Sequence, residues 1–159
     1  MKLQKLISKL EKHHKKKLDL SLGRTFNLLK KLGDPQDKLK NVITVVGTNA
    51  KASMCYSLKS ILNLAGHKTN LYTSPHLLSY TERYVFEDKE INEEDLIELL
   101  TDVEKTLGDD NATLFEILTC AFLKHAENFK DNINIIEAGL FHQFDSTCLL
   151  YTSPSPRDS

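Results

Sequence analysis

At 159 residues, with 40% hydrophobic and 27% charged side chains, the chain has ordinary globular composition and suffices for one domain with its own core. A formal charge of -1 gives no general attraction to nucleic acid or membrane, and no apolar run reaches the roughly 20 residues that span a bilayer. The three cysteines, Cys55, Cys120 and Cys148, form neither a CxxC pair nor a zinc pattern, and the lysine-rich start lacks the apolar stretch of a signal peptide, so a reducing cytoplasm is expected.

Leu3, Leu6, Ile7 and Leu10 recur at helical spacing and predict an amphipathic opening helix. Its lysines, from Lys2 to Lys17, and the acidic stretch from Glu87 to Asp110 read as solvated helix faces. His13 and His14, inside the lysine run, read as solvent-exposed rather than metal-ligating. Phe26, Leu28, Leu29 and Leu32 predict a second helix, ended by Gly33-Asp34-Pro35. Val42 to Val46 reads as a first strand whose unbroken β-branched character suits burial on both faces. Beyond the turn from Gly47 to Ser53, Met54, Leu58, Ile61, Leu62 and Ala65 make one helical face, with Gly66 as the C′ stop.

Asn70 to Thr73 reads as a second strand running into Ser74-Pro75-His76. Strand, helix and strand within about 30 residues form a βαβ unit, whose crossover is expected to be right-handed. Asn92 is the expected N-cap of an acidic helix to about Leu107, with Asp95 in a weaker version of the capping box. Thr113 opens a helix carrying Leu114, Ile117, Leu118, Ala121 and Phe122. Ile133 to Ile136 is a third strand that delivers Glu137 at its C-terminal end. The expected fold is therefore α/β, a parallel sheet with helices on both faces. Ligands of such sheets collect outside the carboxyl ends of the strands, where Lys51, Ser74 and Glu137 fall. Residues 148–159 break all periodicity, are rich in Ser and Pro, and resemble a translated cloning adapter. The natural sequence is expected to stop near Thr147, inside a motif.

A strand running into a tight turn with Lys51 and Ser53, and then into a helix, is how many proteins hold a nucleotide triphosphate. Backbone N–H groups and the helix N-terminus face the phosphates. Lysine supplies a point charge and a hydroxyl can bind Mg²⁺. The spacing here is GxxxKxS rather than GxxxxGK[ST], and Ser53 can equally be a plain N-cap. Glu137, directly after Ile135-Ile136, is costly to bury unless paired or metal-bound, and a hard oxygen ligand there suits Mg²⁺. Ser74 reads as a turn residue or a hydroxyl metal ligand, and His76 as a turn histidine or a phosphate contact. Glu116, inside an apolar helix, reads as a structural hydrogen-bonding group or a substrate contact. Cys120 and Phe122 read as core.

Together these pieces resemble the folylpolyglutamate synthase/dihydrofolate synthase family of the Mur ligase superfamily, from about Leu18 to Thr147. Asp19-Leu20-Ser21-Leu22-Gly23-Arg24 matches the family's "DLGLER", and Gly33-Asp34-Pro35-Gln36 its "GNPQ". Gly47-Thr48-Asn49-Ala50-Lys51-Ala52-Ser53 sits on "GTNGKGS", and Leu71 to Leu77 with Glu82-Arg83 on "LYTSPHL…ERI". Phe115-Glu116 sits on "FE", and Glu137 to Thr147 on "EVGLGGRLDATN". The resemblance implies a P-loop-like central ATPase domain over residues 1–147, incomplete here, with the C-terminal glutamate-ligase domain absent. It implies that ATP phosphorylates the carboxylate of a pteroate or folate substrate and that the amine of glutamate captures the acyl phosphate. The phosphates would contact Gly47, Thr48, Asn49, Ala50, Lys51, Ala52 and Ser53. Mg²⁺ would rest on Ser74 and Glu137, making Lys51 and Glu137 the catalytic pair. The substrate would touch Asp19, Leu20, Ser21, Leu22, Gly23, Arg24 and Glu116. The implied partners are small molecules, not nucleic acid or membrane, and the implied full-length form is a cytoplasmic monomer of folate biosynthesis and one-carbon metabolism.

Three departures stand out. Ala50 and Ala52 replace glycines, and Phe141-His142-Gln143 replaces "GGR". The chain alone is expected to be inactive, and its open sheet edge to make it poorly soluble. A nucleotide-binding module without catalysis and another Mur-type ligase are the alternative readings.

Overall fold

The computed structural model describes residues 2–13 and 23–139. The expectations placed on Asp19, Leu20, Ser21, Leu22, Phe141-His142-Gln143 and residues 148–159 lie outside the described residues. The helices are α1 (Leu3–His13), α2 (Gly23–Lys31), α3 (Lys51–Leu64), α4 (Glu93–Leu107) and α5 (Leu114–Ala126). The strands are β1 (Asn41–Val45), β2 (Thr69–Tyr72), β3 (Tyr84–Phe86), β4 (Lys89–Glu90) and β5 (Ile133–Glu137). They form one five-stranded sheet in the order β1-β5-β2-β3-β4. β5 is parallel to both β1 and β2, whereas β3 and β4 extend the sheet antiparallel from β2. The parallel core thus carries an antiparallel wing that the sequence did not announce.

Strand alternation divides the apolar residues between two faces. On one face Ile43, Val45, Leu71, Ile133 and Ile135 meet Cys55, Leu58 and Leu62 of α3. On the other, Val42, Tyr72, Tyr84, Phe86 and Ile136 lie under α1, α2, α4 and α5, packed among Leu6, Leu10, Leu28, Leu96, Leu100, Ile117 and Phe122. Helices cover both faces, as expected. Leu3, Leu6, Ile7 and Leu10 of α1 are all buried, and so is Leu32 just beyond α2. Phe26, however, is half exposed, and Thr25 takes its place in the core.

Local signals fix several boundaries. Asn92 caps α4 by accepting from the Asp95 N–H at 2.8 Å. Thr113 and Glu116 close a full capping box on α5. Gly66, at φ 88, follows α3 as its C′ residue, and the His67 N–H reaches Leu62 O at 3.0 Å. Two expectations need correction. β1 is not buried on both faces: it is an edge strand among the described residues, paired only with β5, and Asn41 to Thr44 retain exposure. The inward stripe of α3 is the buried Cys55 with the half-buried Leu58 and Leu62, while Met54, Ile61 (62% exposed) and Leu64 (90%) face outward. Met54 and Ile61 each precede an inward-facing residue by one position, about 100° around the helix. Among the described residues no helix is long and apolar enough to cross a membrane.

The starts of the parallel strands share a buried polar network. Asn70 Nδ2 donates to Asn134 Oδ1 at 2.9 Å, Asn132 Nδ2 to Asn70 Oδ1 at 3.0 Å, and Asn134 Nδ2 to Asn41 O at 3.4 Å. On the helical face an aromatic column links Tyr72, Phe122, Phe86 and Phe129, with the His125 ring 4.5 Å from that of Phe86.

Burial holds the His125 pKa below its ordinary 6.5, against a weaker upward pull from Asp95. The unfolded chain therefore binds the proton more readily, and stability present above about pH 6.5 is lost as pH falls toward the folded value. Urea unfolding across pH 5 to 8 is expected to show a shallower decline in a His125→Leu variant than in the unaltered chain; equal slopes would refute the assignment.

Candidate functional site

The site is assembled at the C-terminal ends of β1, β5 and β2. β5 is flanked by the other two, so its last residue falls between the segments that follow them. Val45 and Glu137 are register partners, and the Ala138 N–H extends the pairing to Val45 O at 3.0 Å. The chain then leaves β1 through an exposed turn, Gly47 at φ 156 and Ala50 in the left-handed region at φ 59, ψ 14. Ala50 is the N-cap of α3 and supplies no side-chain hydrogen bond, which leaves the first N–H groups of the helix open to a ligand. Ser53, read in the sequence as a possible N-cap, instead lies within the first turn of α3 and is exposed.

Lys51 opens α3, and its ammonium turns back to donate to Gly47 O at 3.0 Å. Glu137 is 4% exposed. Its Oε2 accepts from the backbone N–H of Ser74 at 3.0 Å, and among the described residues it has no ion-pair partner. The Cys55 thiol lies within the influence of both charges. Burial, and then Glu137, push its pKa up to about 12, while Lys51 pulls the other way. Lys51 and Glu137 therefore stand at the same end of the sheet, together with Ser74.

The residues that the resemblance assigns to substrate, so far as they are described, form a separate constellation. Glu116 uses both carboxylate oxygens: Oε2 accepts from the Thr113 N–H, and Oε1 accepts from Thr25 Oγ1 at 3.3 Å and Arg24 Nη2 at 3.4 Å. It joins the start of α5 to the start of α2, where Gly23 and Arg24 sit. The residues preceding them, from Asp19 to Leu22, lie outside the described part.

Sequence reasoning missed the construction of the segment from Ser74 to Arg83. Ser74–Pro75 is a cis peptide, and Tyr80–Arg83 is a 3-10 turn. The Glu82 carboxylate accepts from the N–H groups of Leu77, Leu78 and Ser79, and these bonds, Leu77 foremost, hold its pKa below the usual range. Arg83 Nε donates to His76 Nδ1 at 2.9 Å, which requires the neutral imidazole; burial, then Arg83, lower the pKa of that ring. The signal available was Ser79-Tyr80-Thr81-Glu82, the spacing of a capping box.

Whether Ser74 and Glu137 suit a divalent cation follows from these observations. A buried carboxylate with no cationic partner among the described residues is an uncompensated charge, which a cation would relieve. Among those residues no three or more His, Cys, Asp or Glu side chains gather into a cage. Such a sparse set fits Mg²⁺, which keeps waters and takes one or two protein oxygens beside phosphate.

No family model matches the chain. It is 36% identical over 141 residues to the dihydrofolate synthase/folylpolyglutamate synthase of Escherichia coli strain K12, covering 89% of this chain and 33% of the relative. It superposes on E. coli FolC in complex with DHPP and ADP with a TM-score of 0.85 at 35% identity, covering 92% of this chain and 35% of that one. It superposes equally, at TM-score 0.85 and 33% identity, on the bifunctional folylpolyglutamate synthase/dihydrofolate synthase of Yersinia pestis complexed with AMPPNP and Mn, over 92% of this chain and 36% of that one. The chain spans about a third of the length of the curated relatives it matches.

The two alanines make opposite predictions. Only Ala50 is left-handed, so Ala50→Gly is expected to stabilise the fold by about 1 kcal/mol. Ala52 is helical, so Ala52→Gly is expected to destabilise it by roughly 0.5–1 kcal/mol. Denaturant midpoints check both, and the same sign for the two would contradict the loop geometry.

Proposed function

The chain belongs to the folylpolyglutamate synthase/dihydrofolate synthase family, and from that membership we propose that it forms the nucleotide-binding part of an ATP-dependent ligase of folate metabolism. The ligase adds glutamate to a pteroate- or folate-type carboxylate. The observation that carries this reading is the buried Glu137 carboxylate, hydrogen-bonded to the Ser74 N–H beside the turn from Gly47 to Ser53.

In this proposal the turn and the open N-terminus of α3 receive the triphosphate through Gly47, Thr48, Asn49, Ala50, Lys51, Ala52 and Ser53. Lys51 exchanges its contact with Gly47 O for a phosphate oxygen. Ser74 and Glu137 hold a divalent cation, which when bound neutralises phosphate charge. Phosphoryl transfer demands little of a protein beyond positioning and charge neutralisation, and these residues supply both. The γ-phosphoryl group passes to the substrate carboxylate and ADP departs. The amine of glutamate then attacks the acyl carbon, and phosphate leaves as the amide forms. Gly23 and Arg24, with the segment from Asp19 to Leu22, make the substrate side. Glu116 serves it through Arg24 and Thr25, since its own oxygens are engaged.

We place the ATP-binding domain at residues 1–147 and an adapter-derived tail at 148–159. The expected setting is a cytoplasmic, monomeric full-length enzyme. This chain alone is expected to bind nucleotide without folate-dependent ATP hydrolysis.

Titration with Mg·ATP, followed by calorimetry, tests the reading. Binding is expected to weaken when EDTA removes the cation, and Glu137→Gln to reduce metal-dependent affinity by at least about tenfold. ATP affinity indifferent to both treatments would overturn it.

A further inference from the structure

We propose that Glu82 is the positioning residue of the candidate cation site, folding the segment between β2 and the 3-10 turn so that Ser74 is presented to Glu137. The inference rests on the proposed function for the identity of the site, and on geometry for the role of Glu82.

The segment leaves β2 after Thr73 and reaches the 3-10 turn at its N-cap, Ser79. An excursion of this kind is ordinarily fixed by burying one of its own apolar side chains. Here that anchor is missing, because Leu77 is 92% exposed and Leu78 93%. The backbone is pinned instead. The Leu77 N–H donates to Glu82 Oε2 at 2.8 Å, and the Leu78 and Ser79 N–H groups donate to Oε1 at 2.8 and 2.7 Å. Three successive donors converge on one carboxylate, charge-assisted bonds of the stronger kind.

The 3-10 turn that carries Glu82 is itself fixed. Ser79 Oγ accepts from the Thr81 N–H at 3.3 Å, and Arg83 O accepts from the Thr73 N–H at 3.3 Å. Arg83 Nε holds His76 Nδ1 at 2.9 Å, with the guanidinium 5.0 Å above the Tyr80 ring. The segment is thus clamped at both ends and in the middle, and its start, Ser74, donates to Glu137 at 3.0 Å. Both oxygens of Glu82 are engaged within the loop, so the side chain acts through the loop rather than on a ligand. It plays for Ser74 the part that outer hydrogen-bond partners play for metal ligands elsewhere.

The test uses the 159-residue chain, with Mn²⁺ and ADP as the probe and electron paramagnetic resonance to count free Mn²⁺. Glu82→Gln keeps the size of the side chain but exchanges one acceptor oxygen for a donor. It is expected to weaken Mn²⁺·ADP binding about tenfold and to strip exchange protection from the Leu77, Leu78 and Ser79 amides. Its melting temperature is expected to stay within about 2 °C of the unaltered chain. Ser74→Ala should lose affinity with those amides still protected, and Glu94→Gln, on the exposed first turn of α4, should change neither. Unprotected amides with affinity held within about twofold would refute the positioning role. Retained protection in Glu82→Gln, or an affinity loss matched by general unfolding, would do the same. If the unaltered chain binds no Mn²⁺·ADP at all, the proposed function itself falls, and this inference with it.

Discussion

A carboxylate buried at the end of the middle parallel strand is the constraint around which this fold is arranged. Removing Glu137 from water is unfavourable unless something replaces the lost hydration, and isolated ionised groups in apolar surroundings are rarely tolerated. β5 lies between β1 and β2, so the segments that leave those two strands are the groups able to reach its last side chain. One delivers the Ser74 N–H, and the other delivers the turn that opens α3 with Lys51. Strand order, more than any single motif, makes the site. In the order β1-β2-β5 a strand would separate Glu137 from the turn after β1, whereas the observed order sets it between both segments, where ligands of parallel sheets gather.

The turn beside that carboxylate is formed at some expense to stability. Ala50 occupies a left-handed backbone that disfavours any side chain by roughly 1–2 kcal/mol. It caps α3 without offering a hydrogen bond of its own. Against a typical domain stability of about 5–15 kcal/mol this is affordable, and it leaves the helix N-terminus free of competing side-chain acceptors. Ala52 carries no such strain, because it lies inside the helix, where alanine is the most favourable residue. Of the two glycine replacements that the sequence flags, one is strained and the other is stabilising, and only the backbone angles distinguish them.

What the sequence disclosed and what it concealed divide along the range of the interactions. Gly66, Asn92 and Thr113 act within a few residues of themselves, so their chemistry marks helix ends directly. The predicted strand ends brought Lys51, Ser74 and Glu137 together, and the family resemblance added the roles expected of them. Hidden features depend on partners far along the chain. β1 reads as a buried strand from its β-branched residues, but among the described residues it pairs with β5 alone and lies at the edge. The wing of β3 and β4 turns through Glu87 and Asp88, both at positive φ, without the Asn-Gly pair that usually marks such a turn. That turn is held instead by Asn63 and Lys59 of α3. Glu116 was ambiguous for the same reason, since Arg24 and Thr25 are remote in sequence.

The register that brings Glu137 to the site is also secured at the opposite end of the sheet. Asn70 and Asn134 are register partners on β2 and β5, and their amides are joined to each other, to Asn132 and to the carbonyl of Asn41. Apolar packing alone would discriminate poorly between registers two residues apart, because side chains keep their face under such a shift. The asparagines do discriminate. A slip that sets Ile136 against Asn70 would leave a buried amide unsatisfied, costing about 1–3 kcal/mol for each stranded group. It would also carry Glu137 out of reach of Ser74. Two polar devices, one at each end of the parallel strands, therefore enforce one alignment: the asparagines reject the slipped sheet, and the correct sheet alone gives the buried carboxylate its hydrogen bond.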